Sequence, residues 1–271
     1  MTVARVPVDG GVLEVRLHGD GPTLLLVQTA LSTDEVAVLG CEPSLRSRHR
    51  VVDLRRRGYL TVPDGAPARA PGSVVQDAAD CATVLVSLDA SPAHVVGASY
   101  SGAVALELAA ARPELVRTLT LLEPPPVEVE AGTAFRHASQ ELMEVFAQEG
   151  VTAALEAFTR VLGTDSWEAQ RAATGADEVA RVERDATVFF SSDVPALLTW
   201  RFGPTRAAEV LAPVLYVGGG DSGPWFAQVH DWVAELFPQA EHHVLPGADH
   251  LLLRTHTARV ASLVADFLHR H

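Results

Sequence analysis

Across 271 residues the chain contains no lysine, no asparagine and no isoleucine, so all 21 basic residues of its charge count are arginine. Two of these absences remove a chemistry. Without lysine there is no Schiff-base or Ser–Lys mechanism, and without asparagine no Cys–His–Asn mechanism. Cysteine is scarce: Cys41 and Cys81 lie far apart, match no zinc or redox spacing, and read as two buried thiols. Positive charge is short as well. The formal net charge is -13 and the longest basic run is Arg55-Arg56-Arg57, so phosphate backbones are repelled and no nucleic-acid partner is expected. No apolar stretch approaches the roughly 20 residues that span a bilayer, so no membrane association is expected either. The opening MTVARVPVDGG lacks a signal-peptide apolar core, which makes the cytoplasm the expected location. There is no H-E-x-x-H or other paired metal spacing, and no metal site is expected.

What remains is ordinary for a globular protein with a sizeable core: 48% hydrophobic and 20% charged residues. Short strand-like runs alternate with longer helix-like ones, the pattern of a mostly parallel α/β sheet covered on both faces. Residues 3–8 and 12–17, joined by Asp9-Gly10-Gly11, read as an opening hairpin. Residues 23–27, 51–54, 94–96, 116–122, 213–217 and 243–245 read as further strands. Residues 74–88, 102–111, 225–237 and 258–269 have helical character, and residues 66–71 form a Pro/Ala loop. Between Pro124 and Ala212 the strand pattern stops. Helical segments at 135–148, 152–162 and 176–190 replace it. The expected division is therefore a core of residues 1–123 and 213–271, with residues 124–212 inserted as a helical lid over the carboxyl ends of the strands. An independent helical domain is the rival reading.

The strongest chemical signal is Gly97-Ala98-Ser99-Tyr100-Ser101-Gly102, entered by a buried strand and left by a small-residue helix. That is the context of a nucleophile elbow, with Ser99 at its tip. Such a turn needs small residues two before and two after the serine; Gly97 meets this, and Ser101 stands where a fifth-position glycine is usual. A serine hydroxyl needs an adjacent base. His250, in Leu245-Pro246-Gly247-Ala248-Asp249-His250 between the last strand and the last helix, is the leading candidate among eleven histidines. The acid that orients it is expected to be Asp221, in Val217-Gly218-Gly219-Gly220-Asp221-Ser222, with Glu123 at the end of the preceding strand as the alternative. Either gives the chain order Ser…acid…His.

With these residues the chain resembles the bacterial α/β-hydrolases over almost its whole length. Leu121-Leu122-Glu123-Pro124 and Arg56-Arg57-Gly58-Tyr59 also fit that pattern. The resemblance implies hydrolysis of an ester or other acyl bond without a cofactor, and no particular substrate. One departure stands out. Relatives typically carry His-Gly after the third strand, where a backbone N–H helps form the oxyanion hole; this chain has Val27-Gln28-Thr29-Ala30. The expected donors are the backbone N–H groups of Ala30 and Tyr100, with the Gln28 side chain as a substitute. Phe189, Phe190, Trp200 and Phe202, with Gln28, are the expected substrate-pocket residues, suited to a small apolar acyl substrate. Hydrolysis of a carboxylic ester or lactone is the first expectation. A thioesterase or biosynthetic tailoring enzyme, and a non-catalytic ligand-binding relative, are the alternatives; oligomeric state is left open.

Overall fold

The computed structural model describes residues 1–31, 35–59, 72–164 and 166–271; the Pro/Ala loop at 66–71 lies outside them. Eight strands form one sheet: β1 (Thr2–Val8), β2 (Gly11–His18), β3 (Thr23–Val27), β4 (Arg50–Leu54), β5 (Ala93–Ala98), β6 (Val116–Leu122), β7 (Val214–Gly219) and β8 (Glu241–Leu245). Their spatial order is β1-β2-β4-β3-β5-β6-β7-β8. β2 runs antiparallel to both neighbours, and every other pairing is parallel. The expected hairpin and the expected parallel sheet are both present.

Alternation along the central strands sorts their side chains to two cores. Leu25 and Val27 of β3 join Val95, Leu119, Leu121 and Tyr216 on one face, while Leu24 and Leu26 join Val96, Leu122, Leu215 and Val217 on the other. This is the period of two expected when both faces are covered. Helices α2 (Val74–Ser87), α3 (Tyr100–Ala111) and α10 (Pro224–Leu236) pack on the first face. On the second lie α1 (Pro43–Arg46), α11 (Leu252–Thr255) and α12 (Thr257–Arg270). α12 buries Val260, Ala261, Val264, Phe267 and Leu268, an i, i+3/i+4 stripe. α3 is different. Nearly every residue of it is buried, which its alanines and Gly102 make possible by letting helix and sheet approach closely. Cys81 of α2 is buried as expected, but Cys41 is exposed, because the short turn that carries it turns Leu39 inward instead.

Between β6 and β7 come α4 (Gly132–Glu149), α5 (Val151–Leu162), α6 (Trp167–Ala173), α7 (Ala176–Val188), α8 (Val194–Thr199) and α9 (Pro204–Ala207). Sequence periodicity reaches α4, α5 and α7 but not the three shorter helices, which offer too few turns for a stripe to emerge. A π-helical turn at Phe189–Asp193 separates α7 from α8. The block has its own core of Leu142, Leu155, Trp167, Phe189, Phe190 and Val194. Ala30 and Leu31, from the loop after β3, pack against that core. No helix among the described residues is long and apolar enough to cross a membrane.

One group in this block works against it. Asp185 of α7 is buried, and burial raises its pKa to about 6 despite the opposing Arg184. Its Oδ1 accepts a 3.3 Å bond from Arg184 while Oδ2 has no partner. Because the folded pKa lies above the unfolded one, folding takes up protons between about pH 4 and 6. Stability therefore falls as pH rises through that window, and the deficit persists above it. Asp185→Asn should raise the melting temperature at pH 7.5 by a few degrees, for about 1–3 kcal/mol, and change it little at pH 4. Equal shifts at both pH values in a thermal melt would contradict this.

Candidate active site

β5 delivers Ser99 at a sharp turn. Its backbone sits at φ 48°, ψ -121°, a conformation that L-residues rarely adopt and that persists only where neighbours over-determine it. Gly97 is one such neighbour: a Cβ there would come within 2.2 Å of the Ser101 carbonyl. Ser101 is another. Its hydroxyl accepts from the Ala98 N–H at 2.9 Å and donates to the Ala98 carbonyl at 3.0 Å. The serine that replaces the usual glycine thus ties the strand end to the first turn of α3. The Ser99 N–H bonds the Leu122 carbonyl at 3.0 Å, which links the elbow to the end of β6.

His250 meets Ser99 from the loop after β8, its Nε2 3.2 Å from Ser99 Oγ. Its Nδ1 lies 2.8 Å from Glu123 Oε2. A carboxylate only accepts, so Nδ1 carries the proton and Nε2 presents its lone pair to the serine hydroxyl. Glu123 is fully buried, and its other oxygen accepts from the Gly219 N–H at 2.7 Å. Phe226 of α10 stacks on the imidazole, with centroids 4.0 Å apart and planes inclined by 19°.

The first-choice acid, Asp221, is not the partner of His250. It is exposed, and what it contributes is its backbone: the Asp221 N–H bonds the Ala248 carbonyl at 2.8 Å, as Gly220 N–H bonds that of Leu245 at 2.9 Å. These bonds lace the loop after β7 to the loop that carries His250. The physical reason is reach. β6 adjoins β5, so a residue at its end lies beside the elbow, and Glu123 adopts a left-handed φ of 44°. Asp221 leaves the sheet one strand further out.

Behind the loop after β3 lies a group of buried charges. Arg56, 2% exposed, gives Nη1 and Nη2 to the two carboxylate oxygens of Asp193 at 3.0 and 2.7 Å. Nη1 also reaches Asp77 Oδ2 at 2.9 Å, and Nε bonds the Gln28 carbonyl at 2.8 Å. The Arg56 N–H donates to Gln28 Oε1 at 3.0 Å, so the Gln28 amide is anchored through its oxygen, and its buried Nε2 has no partner. Tyr59 donates its phenol proton to Asp193 Oδ2 at 2.6 Å, and Tyr100 donates to Asp77 Oδ2 at 3.1 Å. The Arg56 guanidinium lies 4.1 Å from the Tyr100 ring centroid. Arg57 forms a bidentate pair with Asp80. Burial, with Asp193 adding to it, pushes the Asp77 carboxyl up, and Arg56 pulls it down.

Thr29, the other departure in this loop, donates its hydroxyl to the Ala98 carbonyl at 2.7 Å. Of the four aromatic residues expected in a pocket, Phe189 and Phe190 lie in the core against which Ala30 and Leu31 pack. Trp200 and Phe202 do not join them. They belong to the sheet-side core, where Trp200 Nε1 donates to Glu107 at 3.0 Å and Phe202 meets Trp232. Residues that sequence patterns missed also come to the site. Phe226 is one, and half-buried Glu35 is another; burial raises its carboxyl pKa against the pull of His250 and Arg254. Neither carries a local signal. The Arg56 network did carry one: three arginines directly after a buried strand must find carboxylates, and Asp77 and Asp80 share a helix face at i, i+3. Among the described residues no three His, Cys, Asp or Glu side chains gather into a metal site.

A sequence profile described as the alpha/beta hydrolase family matches residues 17–263. Solved structures agree on the fold across the whole chain. A thermophilic esterase from Thermogutta terrifontis superposes with a TM-score of 0.75 at 17% identity, covering 100% of this chain and 99% of that one. An alpha/beta hydrolase from Sphaerobacter thermophilus gives 0.72 at 23% identity, covering 97% and 100%. A proline iminopeptidase from Mycobacterium smegmatis gives 0.69 at 22% identity, covering 100% and 98%. With its sheet order, its elbow serine and its profile match, the chain belongs to the alpha/beta hydrolase family.

Proposed function

We propose that this protein is a serine hydrolase that cleaves a carboxylic ester or lactone through an acyl-enzyme on Ser99. The observation that carries the reading is the unbroken line Ser99 Oγ, His250, Glu123, at 3.2 and 2.8 Å. Ser99 gives its proton to His250 Nε2 as Oγ bonds the substrate carbonyl carbon. The oxyanion is held by the N–H groups of Tyr100 and Ala30. Tyr100 opens α3, where backbone donors lack helical acceptors and the dipole favours negative charge. Collapse of the adduct breaks the bond to the leaving oxygen, which takes the proton from His250. Water then repeats the sequence, giving its proton to His250 and releasing the acid from Ser99. Glu123 stays ionised and stabilises the imidazolium.

The helices between β6 and β7 serve as the lid. Phe226 stacks on His250, and Ala30 of the proposed oxyanion hole packs against the core that holds Phe189 and Phe190; both support an apolar acyl group. A net charge of -13 disfavours an anionic one.

Ser99→Ala should fold normally and lose about 10⁴ or more in kcat, measured on a p-nitrophenyl ester; near-normal turnover would end the proposal. Glu123→Gln should cost about 10⁴ in kcat, as removal of the orienting acid does elsewhere. Asp221→Asn should leave kcat nearly unchanged. The reverse order would return the acid to the loop after β7. In a panel of esters, neutral apolar acyl groups should be turned over faster than small charged ones, and a preference for charged acids would contradict the pocket assignment.

A further inference from the structure

We propose that Arg56 is a positioning residue for the oxyanion loop, and that its pairing with Asp193 makes the shape of that loop depend on the docked helical insertion. This rests on the hydrolase reading of Ser99. Arg56 touches neither Ser99 nor His250 in the contacts described, yet it reaches the residues on both sides of the proposed oxyanion hole. On the loop after β3 it holds the Gln28 carbonyl and the Gln28 side-chain oxygen, and it reaches towards the Thr29 carbonyl at 3.5 Å. On the elbow it lies over the ring of Tyr100, whose hydroxyl is fixed to the same Asp77 that Arg56 pairs with. Its remaining bonds go to Asp193, in the π-helical turn of the insertion.

Tyr59 closes the arrangement. Its phenol donates to Asp193 at 2.6 Å. Leu31 itself is held at φ 62°, a left-handed conformation that a leucine does not keep without surrounding constraint. The loop is therefore set at Gln28 by Arg56, at Thr29 by Ala98, and at Leu31 by the core of the insertion, against which it packs. The first passes through Asp193, and the third through the insertion that carries Asp193. Ala30 sits between them. If Asp193 leaves, Arg56 retains only one carboxylate, Asp77, and Tyr59 loses the acceptor that orients it. The N–H at position 30 is then no longer held towards the elbow.

Two variants test this. Asp193→Asn removes the charge, and Tyr59→Phe removes one hydroxyl and is the milder change should the first fail to fold. The readouts are the rate at which a fluorophosphonate labels Ser99, kcat and KM on p-nitrophenyl butyrate, and the melting temperature. The phosphonate oxygen occupies the oxyanion position, so labelling reads that hole directly. For Tyr59→Phe a fall of roughly tenfold in both labelling rate and kcat is expected, about the effect of one displaced hydrogen bond. KM and the pH at half-maximal rate, which report substrate fit and His250, should stay in place. A lowered melting temperature with unchanged labelling and kcat would overturn the proposal and leave Arg56 purely structural. If the unaltered protein is not labelled at Ser99 at all, the hydrolase reading falls, and this inference with it.

Discussion

The structure turns on one hydrogen bond, the 2.8 Å contact between His250 Nδ1 and Glu123 Oε2. It joins the loop after β8 to the end of β6 across the intervening strand β7, and the same carboxylate takes the Gly219 N–H from β7 on its way. A hydrogen bond to a charged group contributes about 1.5–3 kcal/mol. The larger consequence is geometric. With Nδ1 committed, the imidazole has one tautomer and one orientation, and its free nitrogen faces Ser99. Phe226 stacked on the ring and the Asp221–Ala248 backbone bond leave the loop little room to turn it elsewhere.

Backbone strain marks the same place. Among the described residues four non-glycine residues have positive φ: Leu31, Asp89, Ser99 and Glu123. Asp89 lies in the turn after α2. The other three are the loop residue after β3, the nucleophile candidate and the carboxylate that meets His250. Each such conformation costs of order 1–3 kcal/mol, and each is surrounded by what holds it. Ser99 has the Gly97 and Ser101 contacts, Glu123 its two hydrogen bonds, and Leu31 the insertion core. The sheet provides the rigid frame, and three of the four strained residues stand where strands end and side chains must be aimed at one another.

Much of this was legible in the residues themselves, for a physical reason in each case. The elbow is local: buried strand, small residues, tight turn and helix occupy consecutive positions, so Ser99 could be read without a fold. His250 follows a strand and precedes a helix in the same direct way. The acid is another matter. Glu123 and Asp221 both end strands and both precede His250, and local pattern favoured the Gly-rich turn before Asp221. What separates them is sheet order, because β6 lies beside β5 and β7 does not. Likewise Gln28-Thr29 looked like a defect in the oxyanion loop. Its explanation is Arg56, 28 positions away, and Asp193, a further 137. Long-range pairing of that kind leaves no periodic trace. The aromatic residues near the end of the insertion are close in sequence, but Phe189 and Phe190 turn into one core and Trp200 and Phe202 into another.

The most direct measurement of the central contact is the proton NMR spectrum in the far downfield region, where an imidazole N–H bonded to a carboxylate is seen apart from the amides. The unaltered protein should show such a resonance from the His250 Nδ1 proton. It should vanish in Glu123→Gln and persist in Asp221→Asn. Its survival in Glu123→Gln together with its loss in Asp221→Asn would contradict the arrangement on which the rest depends.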